Sequence, residues 1–235
     1  MAIPSLKALK RQSGATTVEF YVLAFYVLFP LIMAVMQMGL LIVAKNTVNL
    51  ATFTAARAGA ASGGDQSEMK RGLLNALSPL YVARGLGALG GSGLRDVSNG
   101  NFTTVMSAAY ASAAIDWALH RRTNSLTVLN PTKAAFKDFA IQNPHTSGRV
   151  IPVTNLMNDM SVGSSSGETR ADALLLKIEV RYCYKMIFPV IDVLVGTILK
   201  DFSSGGDKLC YESLGIPIVS QAVIRMTTPP VESNF

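Results

Sequence analysis

Three glycines in the middle of the chain have the spacing of a dinucleotide-binding loop, in the segment Gly85-Leu-Gly87-Ala-Leu-Gly90. That chemistry needs a strand before the glycines and a helix N-terminus after them, so that backbone N–H groups reach a phosphate. The segment before the glycines is short, more glycines follow them, and no second parallel strand is visible. We therefore expect a flexible loop over 85–93 and no nucleotide cofactor.

A second pattern, Gly163-Ser-Ser165-Ser-Gly167, has the spacing of the nucleophile elbow of hydrolases. A working elbow turns from a strand into a helix, and an acid and then a histidine follow it along the chain. Both histidines, His120 and His145, precede Ser165. A Ser-rich loop is the expected structure, and Ser165 is not expected to be a nucleophile.

The two histidines offer little to a metal ion. They stand 25 residues apart, and no cysteine or set of acids lies at ligand spacing from either. Asp116 and His120 are four residues apart on a predicted helix, which favours a contact between their side chains at the surface. The sequence therefore predicts no catalytic residue, no metal site and no cofactor, and the protein is not expected to be an enzyme.

The most informative charged group is the carboxylate of Glu19, which stands at the edge of an apolar run. Phe20 to Ala44 are 25 residues without a formal charge. At about 1.5 Å per residue, a helix of this length exceeds the ~30 Å hydrocarbon layer of a membrane. A carboxylate at the edge of lipid is costly unless it has a partner. A membrane-spanning helix with a paired acid at one end is therefore predicted.

Charges on either side of the run set its expected orientation. The residues before Glu19 carry three positive charges and no negative one, from Lys7, Lys10 and Arg11. This bias places the N-terminus in the cytoplasm and the chain after Ala44 across the membrane. A cleaved secretory signal is disfavoured, because its apolar region spans only about 7–15 residues. An uncleaved single-pass anchor and a helix processed near Gly14 remain as alternatives.

The N-terminus resembles the signal of type IV pilins, in which a short basic leader ends at a glycine and a glutamate follows five residues later, as Gly14 and Glu19 do here. The continuation Glu19-Phe20-Tyr21 is similar to that of tight-adherence (Tad) pilins. The segment 55–60, Ala-Ala-Arg-Ala-Gly-Ala, resembles the one that follows the membrane helix of TadE-like proteins. Residues 180–184 and 216–226 resemble, more loosely, the closing strands of that family.

Two positions depart from the family pattern. Pro30 lies eleven residues after Glu19, whereas the family proline usually comes about six residues after the acid. Gln37 stands in the part of the run where the family often has a second acid. Both departures bear on which subfamily the chain resembles, and not on its resemblance to pilins as a class.

The resemblance implies a minor pilin, or pseudopilin, of a Tad type IV pilus. Prepilin peptidase would cut between Gly14 and Ala15, and Glu19, Phe20 and Tyr21 would take part in assembly, with Glu19 paired to a neighbouring subunit's new N-terminal ammonium. The implied partners are other pilin and pseudopilin subunits, the peptidase and the inner-membrane assembly platform. The alternative is a bitopic inner-membrane protein with an uncleaved anchor and a periplasmic binding or enzyme domain.

Charge and cysteine content fit a location across the membrane. The net charge of +6 falls to +3 when the three basic residues of the leader are removed, and no block of five like charges occurs, so no nucleic acid is expected as a partner. Cys183 and Cys210 are the only cysteines. An even count in an oxidising compartment predicts a disulfide between them.

We expect an α+β fold with three parts: a leader over 1–14, a transmembrane and assembly helix over 15–61 with a kink near Pro30, and a periplasmic head over 62–235. Helices are predicted over 103–122 and 189–201, and a further helix is capped by Asn130 and Pro131. Alternating apolar residues predict a strand over 174–188, with Cys183 on its wet face. A last strand over 216–226 completes an antiparallel sheet on the long helix.

Overall fold

The computed structural model describes residues 15–83, 102–143, 148–154, 161–199, 201 and 203–235. Its helices are α1 (Ala15–Leu23), α2 (Phe29–Ala61), α3 (Gln66–Ala83), α4 (Phe102–Leu119), α5 (Lys133–Phe139), α6 (Arg170–Ala173), α7 (Pro189–Leu199) and α8 (Gly206–Glu212). Its strands are β1 (Ser125–Asn130), β2 (Ile141–Gln142), β3 (Arg149–Val150), β4 (Leu175–Lys185) and β5 (Gly215–Arg225), and a 3-10 turn, Glu232–Asn234, comes last. The expected α+β class is confirmed.

The long N-terminal helix runs from Ala15 to Ala61 and changes its winding once. Ala24–Leu28 form a π-helical turn between α1 and α2, and Pro30 lies in the first turn of α2. Proline has no N–H to donate to the carbonyl four residues earlier, so the helix must rearrange its hydrogen bonds just before it. The disturbance expected near Pro30 is present as this wider turn.

Two glycines end the long helix. Gly63 and Gly64 have φ angles of 68° and 89°, a region that a residue with a Cβ atom adopts only at a cost. The Gly64 N–H donates to the Gly59 carbonyl at 2.9 Å, the bond that closes a Schellman C-cap. The chain then turns into α3, which packs along α2.

Small residues on the outer half of α2 allow close packing by α3 and the sheet. The buried apolar side chains recur three or four residues apart in two rows on one face: Ala44, Val48, Ala51 and Ala55 in one, and Ala56 and Ala60 in the other. Gly72 of α3 lies against this face, where an added Cβ would stand 3.1 Å from Ala58 Cβ and 3.3 Å from the Thr54 carbonyl oxygen. Helix α4, predicted over 103–122, packs on α3 with Val105, Ala109 and Ala113 buried.

The main sheet has three antiparallel strands in the order β1-β4-β5. The β4 and β5 strands pair from Leu175 opposite Arg225 to Lys185 opposite Gly215. The predicted alternation of β4 is confirmed, since its even-numbered side chains from 176 to 184 are buried. Both strands pack on α2, so the expected sheet on the long helix is confirmed as well. The β1 strand has no counterpart among the predicted strands.

The segment between β4 and β5 forms α7 and α8, and the disulfide between Cys183 and Cys210 joins it to the sheet. The predicted pairing is confirmed. The placement of Cys183 on a wet face is wrong, because Cys210 of α8 lies over it and both cysteines are buried. The Cys183 N–H donates to Asn124 Oδ1 at 2.9 Å, which ties the start of β1 to the same place.

The start of α5 also differs from the prediction. Thr132 is the N-cap, and its hydroxyl accepts a bond from the Ala135 N–H at 3.2 Å. Asn130 instead ends β1, where its side-chain amide donates to the Leu175 carbonyl at 2.6 Å. Asn130 therefore bonds within the sheet and does not cap the helix.

Candidate assembly helix and its attachment to the domain

Glu19 lies on α1, one turn after the first described residue, and its side chain is exposed. Among the described residues, no basic group is within ion-pair distance of it. Phe20 and Tyr21 follow on the helix surface, 64% and 57% exposed, with their ring centroids 6.2 Å apart. The predicted cleavage position, Gly14, lies outside the described residues, while Ala15 begins α1. The three predicted assembly residues are thus all exposed, on successive positions around α1.

The first half of the long helix is apolar, and most of its side chains before Gln37 are exposed in the described chain. Large apolar side chains are exposed along it from Val18 to Val43. Of the helices in the described residues, this one alone is long and apolar enough to cross a membrane. An apolar helix without a covering layer suggests a membrane anchor.

The domain first touches the helix at Gln37. This side chain is buried, only 3% exposed, and Gln37 Oε1 accepts bonds from the Ile187 N–H at 3.3 Å and the Phe188 N–H at 3.4 Å. The bonds join α2 to the turn between β4 and α7. From the sequence alone Gln37 is only a polar break in the apolar run, and no local pattern connects it to residues 150 positions later.

At its other end the helix is closed by the chain after β5. The Ala60 carbonyl accepts bonds from the backbone N–H groups of Thr227 and Thr228, each at 3.2 Å. The two threonine hydroxyls add bonds to the carbonyls of Ala60 and Ala61, at 3.1 and 2.8 Å. Helix ends leave carbonyl groups without intrahelical partners, and these contacts satisfy two of them. The domain is therefore hydrogen-bonded to the outer half of the helix at both of its ends, at Gln37 and at Ala60–Ala61.

A buried polar chain connects the helical layer to the sheet. The Tyr81 hydroxyl donates to Asp116 Oδ2 at 2.6 Å and lies 2.9 Å from the Tyr182 hydroxyl. His120 Nδ1 is 3.0 Å from Asp116 Oδ1. Burial, together with the neighbouring Tyr182 and Asp116, raises the pKa of the Tyr81 hydroxyl far above its ordinary value. The predicted contact of Asp116 with His120 is present, but it is half-buried and belongs to this larger chain of groups.

The Ser-rich loop binds the carboxylate of Asp138. Asp138 accepts bonds from the Ser165 N–H at 2.9 Å, and from the Ser166 N–H and hydroxyl at 2.8 and 2.9 Å. Desolvation of the Asp138 carboxyl opposes its ionisation, but the bonds from Ser166 and Ser165 outweigh it and lower its pKa. The loop prediction is consistent with this geometry. The glycine pattern at 85–90 lies outside the described residues.

Within the described ranges, no group of three or more His, Cys, Asp or Glu side chains is placed to hold a metal ion. Asp116 contacts Tyr81 and His120, and Asp138 is bound by serines, while His145 lies outside the described residues. The groups that stand out for function are therefore those of the N-terminal helix.

These features define a class: a protein with one long apolar N-terminal helix, suggestive of a membrane anchor, that carries an α+β domain on its outer half. Residues 14–57 match the family model of the TadE-like proteins. The match confirms the resemblance seen at the N-terminus and supports a TadE-like protein of the Tad pilus system, a family that is not one of enzymes. No curated protein and no solved structure matches the chain.

Proposed function

We propose that this chain is a minor pilin, or pseudopilin, of a Tad-type type IV pilus, and that its work is assembly by helix packing with other pilins. The observation that carries the proposal is the match of residues 14–57, which covers the glycine of the leader, Glu19 and the whole apolar run. The exposed apolar surface of the same helix supports it, because such a surface needs lipid or neighbouring helices around it.

The proposed parts are a leader over 1–14, an assembly helix over 15–61 and a head over 62–235. Three basic residues before the helix favour a cytoplasmic N-terminus and a periplasmic head. The disulfide of Cys183 and Cys210 supports this orientation, because disulfides persist outside the cytoplasm. Prepilin peptidase and the inner-membrane assembly platform are the further partners that the role requires.

Glu19 is the residue proposed to direct assembly. Cleavage after Gly14 creates an ammonium on Ala15, four residues from Glu19 and at the same edge of the membrane. Two opposite charges that meet near lipid offset each other's loss of hydration. The Glu19 of one subunit and the ammonium of its neighbour would thereby set the axial register between helices.

The experiment is a mass measurement of the native N-terminus, followed by co-purification of the chain with the other pilus subunits. A mature chain that begins at Ala15 and is recovered with pilins supports the proposal. A chain that still begins at Met1 and is recovered alone overturns it and favours the uncleaved anchor with an independent periplasmic domain. Replacement of Gly14 by a bulky residue is the matched control, since it should leave a precursor heavier by the leader.

A further inference from the structure

The turn before α7 and the helix itself carry three large apolar side chains that are about half exposed in the described chain. Ile187 is 50% exposed, Val193 54% and Ile198 53%. The helix contains one charged residue, Asp192, among its eleven. It is held in place on its other side by α2, α8 and β5. Val193 and Ile198 lie about 140° apart around the helix, with the exposed Thr197 between them, so the open side is broad and carries two large apolar side chains that need an explanation.

The position of α7 along the long helix supplies that explanation. The turn that leads into it binds Gln37, which precedes Lys45, the first charged residue after the apolar run, by eight positions. If Lys45 lies at the headgroups on the domain's side, then at about 1.5 Å per residue Gln37 lies roughly 12 Å further into the membrane. If Glu19 marks the opposite edge instead, a 30 Å layer takes about 20 residues and ends near Gly39, so Gln37 still lies about 3 Å inside it.

The hydrogen bonds of Gln37 provide a second, independent observation. The backbone N–H groups of Ile187 and Phe188 have their partner in a side-chain oxygen of the membrane helix. Backbone donors in water need no such partner, whereas donors in a hydrocarbon layer must be satisfied by the protein. The two N–H groups of the turn are thus satisfied without water, while Gln37 Nε2 is buried without a partner among the described residues.

We propose that residues 186–188 and α7 lie in the interfacial layer of the membrane, with Ile187, Val193 and Ile198 directed into lipid. The occupant of the open side is thus a lipid surface, in the leaflet on the domain's side. This inference goes beyond assembly and rests only on the membrane placement of the long helix. It means that the head of the membrane-resident subunit lies against the bilayer at α7 rather than standing clear of it.

The test uses the full chain in vesicles of phosphatidylethanolamine and phosphatidylglycerol, with a nitroxide on Val193→Cys or Ile198→Cys and the native disulfide verified by mass. Collision rates with oxygen, which is enriched in lipid, are compared with those of a water-soluble nickel complex. Val35→Cys, on the 68% exposed side chain of the span, is the lipid reference. Val162→Cys is the water reference. Val162 is 63% exposed and pairs with Thr169, just before α6. It therefore lies near the start of β4, whereas α7 follows the end of β4.

The proposal expects labels at 193 and 198 to collide mainly with oxygen, with the nickel accessibility lost relative to the label at 162. Nickel accessibility at both sites equal to that at 162 overturns it. Labels that are wetted in vesicles and shielded only after other pilus subunits are added also overturn it, since α7 would then be a protein-docking surface. Neither result depends on cleavage or on Glu19, so failure here is distinguishable from failure of the assembly role.

Discussion

The hydroxyl groups of Tyr81 and Tyr182 lie 2.9 Å apart and join α3 to β4 across 101 residues of sequence. Asp116 of α4 accepts the bond donated by Tyr81, at 2.6 Å. These contacts therefore connect α3, α4 and β4 at one buried point. Polar groups buried in this way are costly to leave without partners, so the contact specifies how the helices pack against the sheet.

Tyr81→Phe should lower the free energy of unfolding by about 1–3 kcal/mol, because Asp116 and Tyr182 each lose a partner in a buried place. Tyr110→Phe, on the half-buried face of α4, is the matched control and should change it by less. The measurement is thermal unfolding of the full chain in detergent. Equal melting temperatures for the two variants would show that the tyrosine contact contributes little.

The same contact predicts a dependence on alkaline pH. Burial raises the pKa of Tyr81 in the folded protein, while an unfolded tyrosine ionises near pH 10. The unfolded chain therefore releases this proton first, and the contribution to stability is complete below about pH 10 and is lost as the pH rises further. The fall in melting temperature between pH 9 and 11 should be shallower in Tyr81→Phe than in the wild type. Parallel curves would contradict the prediction.

Gln37→Leu tests the attachment of the domain to the membrane helix. The variant makes the span more apolar, but it leaves the N–H groups of Ile187 and Phe188 without their partner. Because leucine also removes Gln37 Nε2, which is buried without a partner among the described residues, we expect a net loss of about 1 kcal/mol in stability. Met38→Leu, on the exposed neighbouring residue, is the control and should be neutral. Amide hydrogen exchange at 187 and 188 checks the cause, and unchanged exchange there would contradict it.

Gly72 tests the close approach of α3 to α2. A valine side chain there would enter the space held by Ala58 and the Thr54 carbonyl, and a backbone atom cannot turn aside as a side chain can. Gly72→Val should destabilise the domain by about 1–3 kcal/mol through overpacking. Lys70→Val on the exposed face carries the same cost of a β-branched residue in a helix without the clash. Chemical denaturation of both variants separates the two effects.

The disulfide should stabilise the segment that carries α7 and α8. Cys183 and Cys210 are separated by 27 positions, and closing such a loop contributes about 3–4 kcal/mol by restricting the unfolded chain. Alkylation of denatured, non-reduced protein from cells should label neither cysteine. Labelling of both would contradict the bond and the proposed orientation together. After reduction, exchange should increase first in α7 and α8.

Local patterns predict the long helix, β4 and β5, and the count of cysteines predicts the disulfide, while side-chain contacts between other distant residues have no such signal. The alternation along β4, the small-residue face of α2 and the Gly63-Gly64 stop are each visible within a few residues of sequence. The partners of Gln37 lie 150 residues away, and no periodicity marks them. The β1 strand was missed for a related reason: it is short and only partly buried, and its pairing with β4 rather than its own sequence makes it a strand.

The placement of Cys183 shows the same limit at a single residue. Alternation correctly assigned Leu176, Ile178 and Val180 to the buried face of β4. Cys183 lies on the other face, which is covered at that end by α8, a helix that the sequence analysis did not predict. One face of a strand is exposed to solvent only if no other part of the chain packs on it, and the alternation of the strand does not show whether one does. Glu19 is the opposite case: no described part of the same chain pairs with it, and its proposed partner belongs to another subunit.

Glu19 offers the sharpest test of the assembly role. If it pairs with a neighbour's ammonium, Glu19→Ala should leave insertion, cleavage and the fold of the domain intact, because Glu19 contacts nothing charged among the described residues. The ammonium left near lipid would weaken association by about 2–4 kcal/mol, which is roughly 30- to 700-fold. Glu19→Gln should be milder, because an amide still accepts a hydrogen bond.

Glu19→Leu is the variant that separates membrane insertion from assembly. It lengthens the apolar run, so it should insert at least as well as the wild type, and yet it should not assemble. Val22→Leu, on the exposed surface less than one turn further along α1, is the matched control and should assemble normally. The readouts are gel mobility for cleavage and co-purification with the other pilus subunits. If Glu19→Leu is processed and co-purifies at the wild-type level, Glu19 is only a residue at the headgroup layer, and helix register must be set by other contacts.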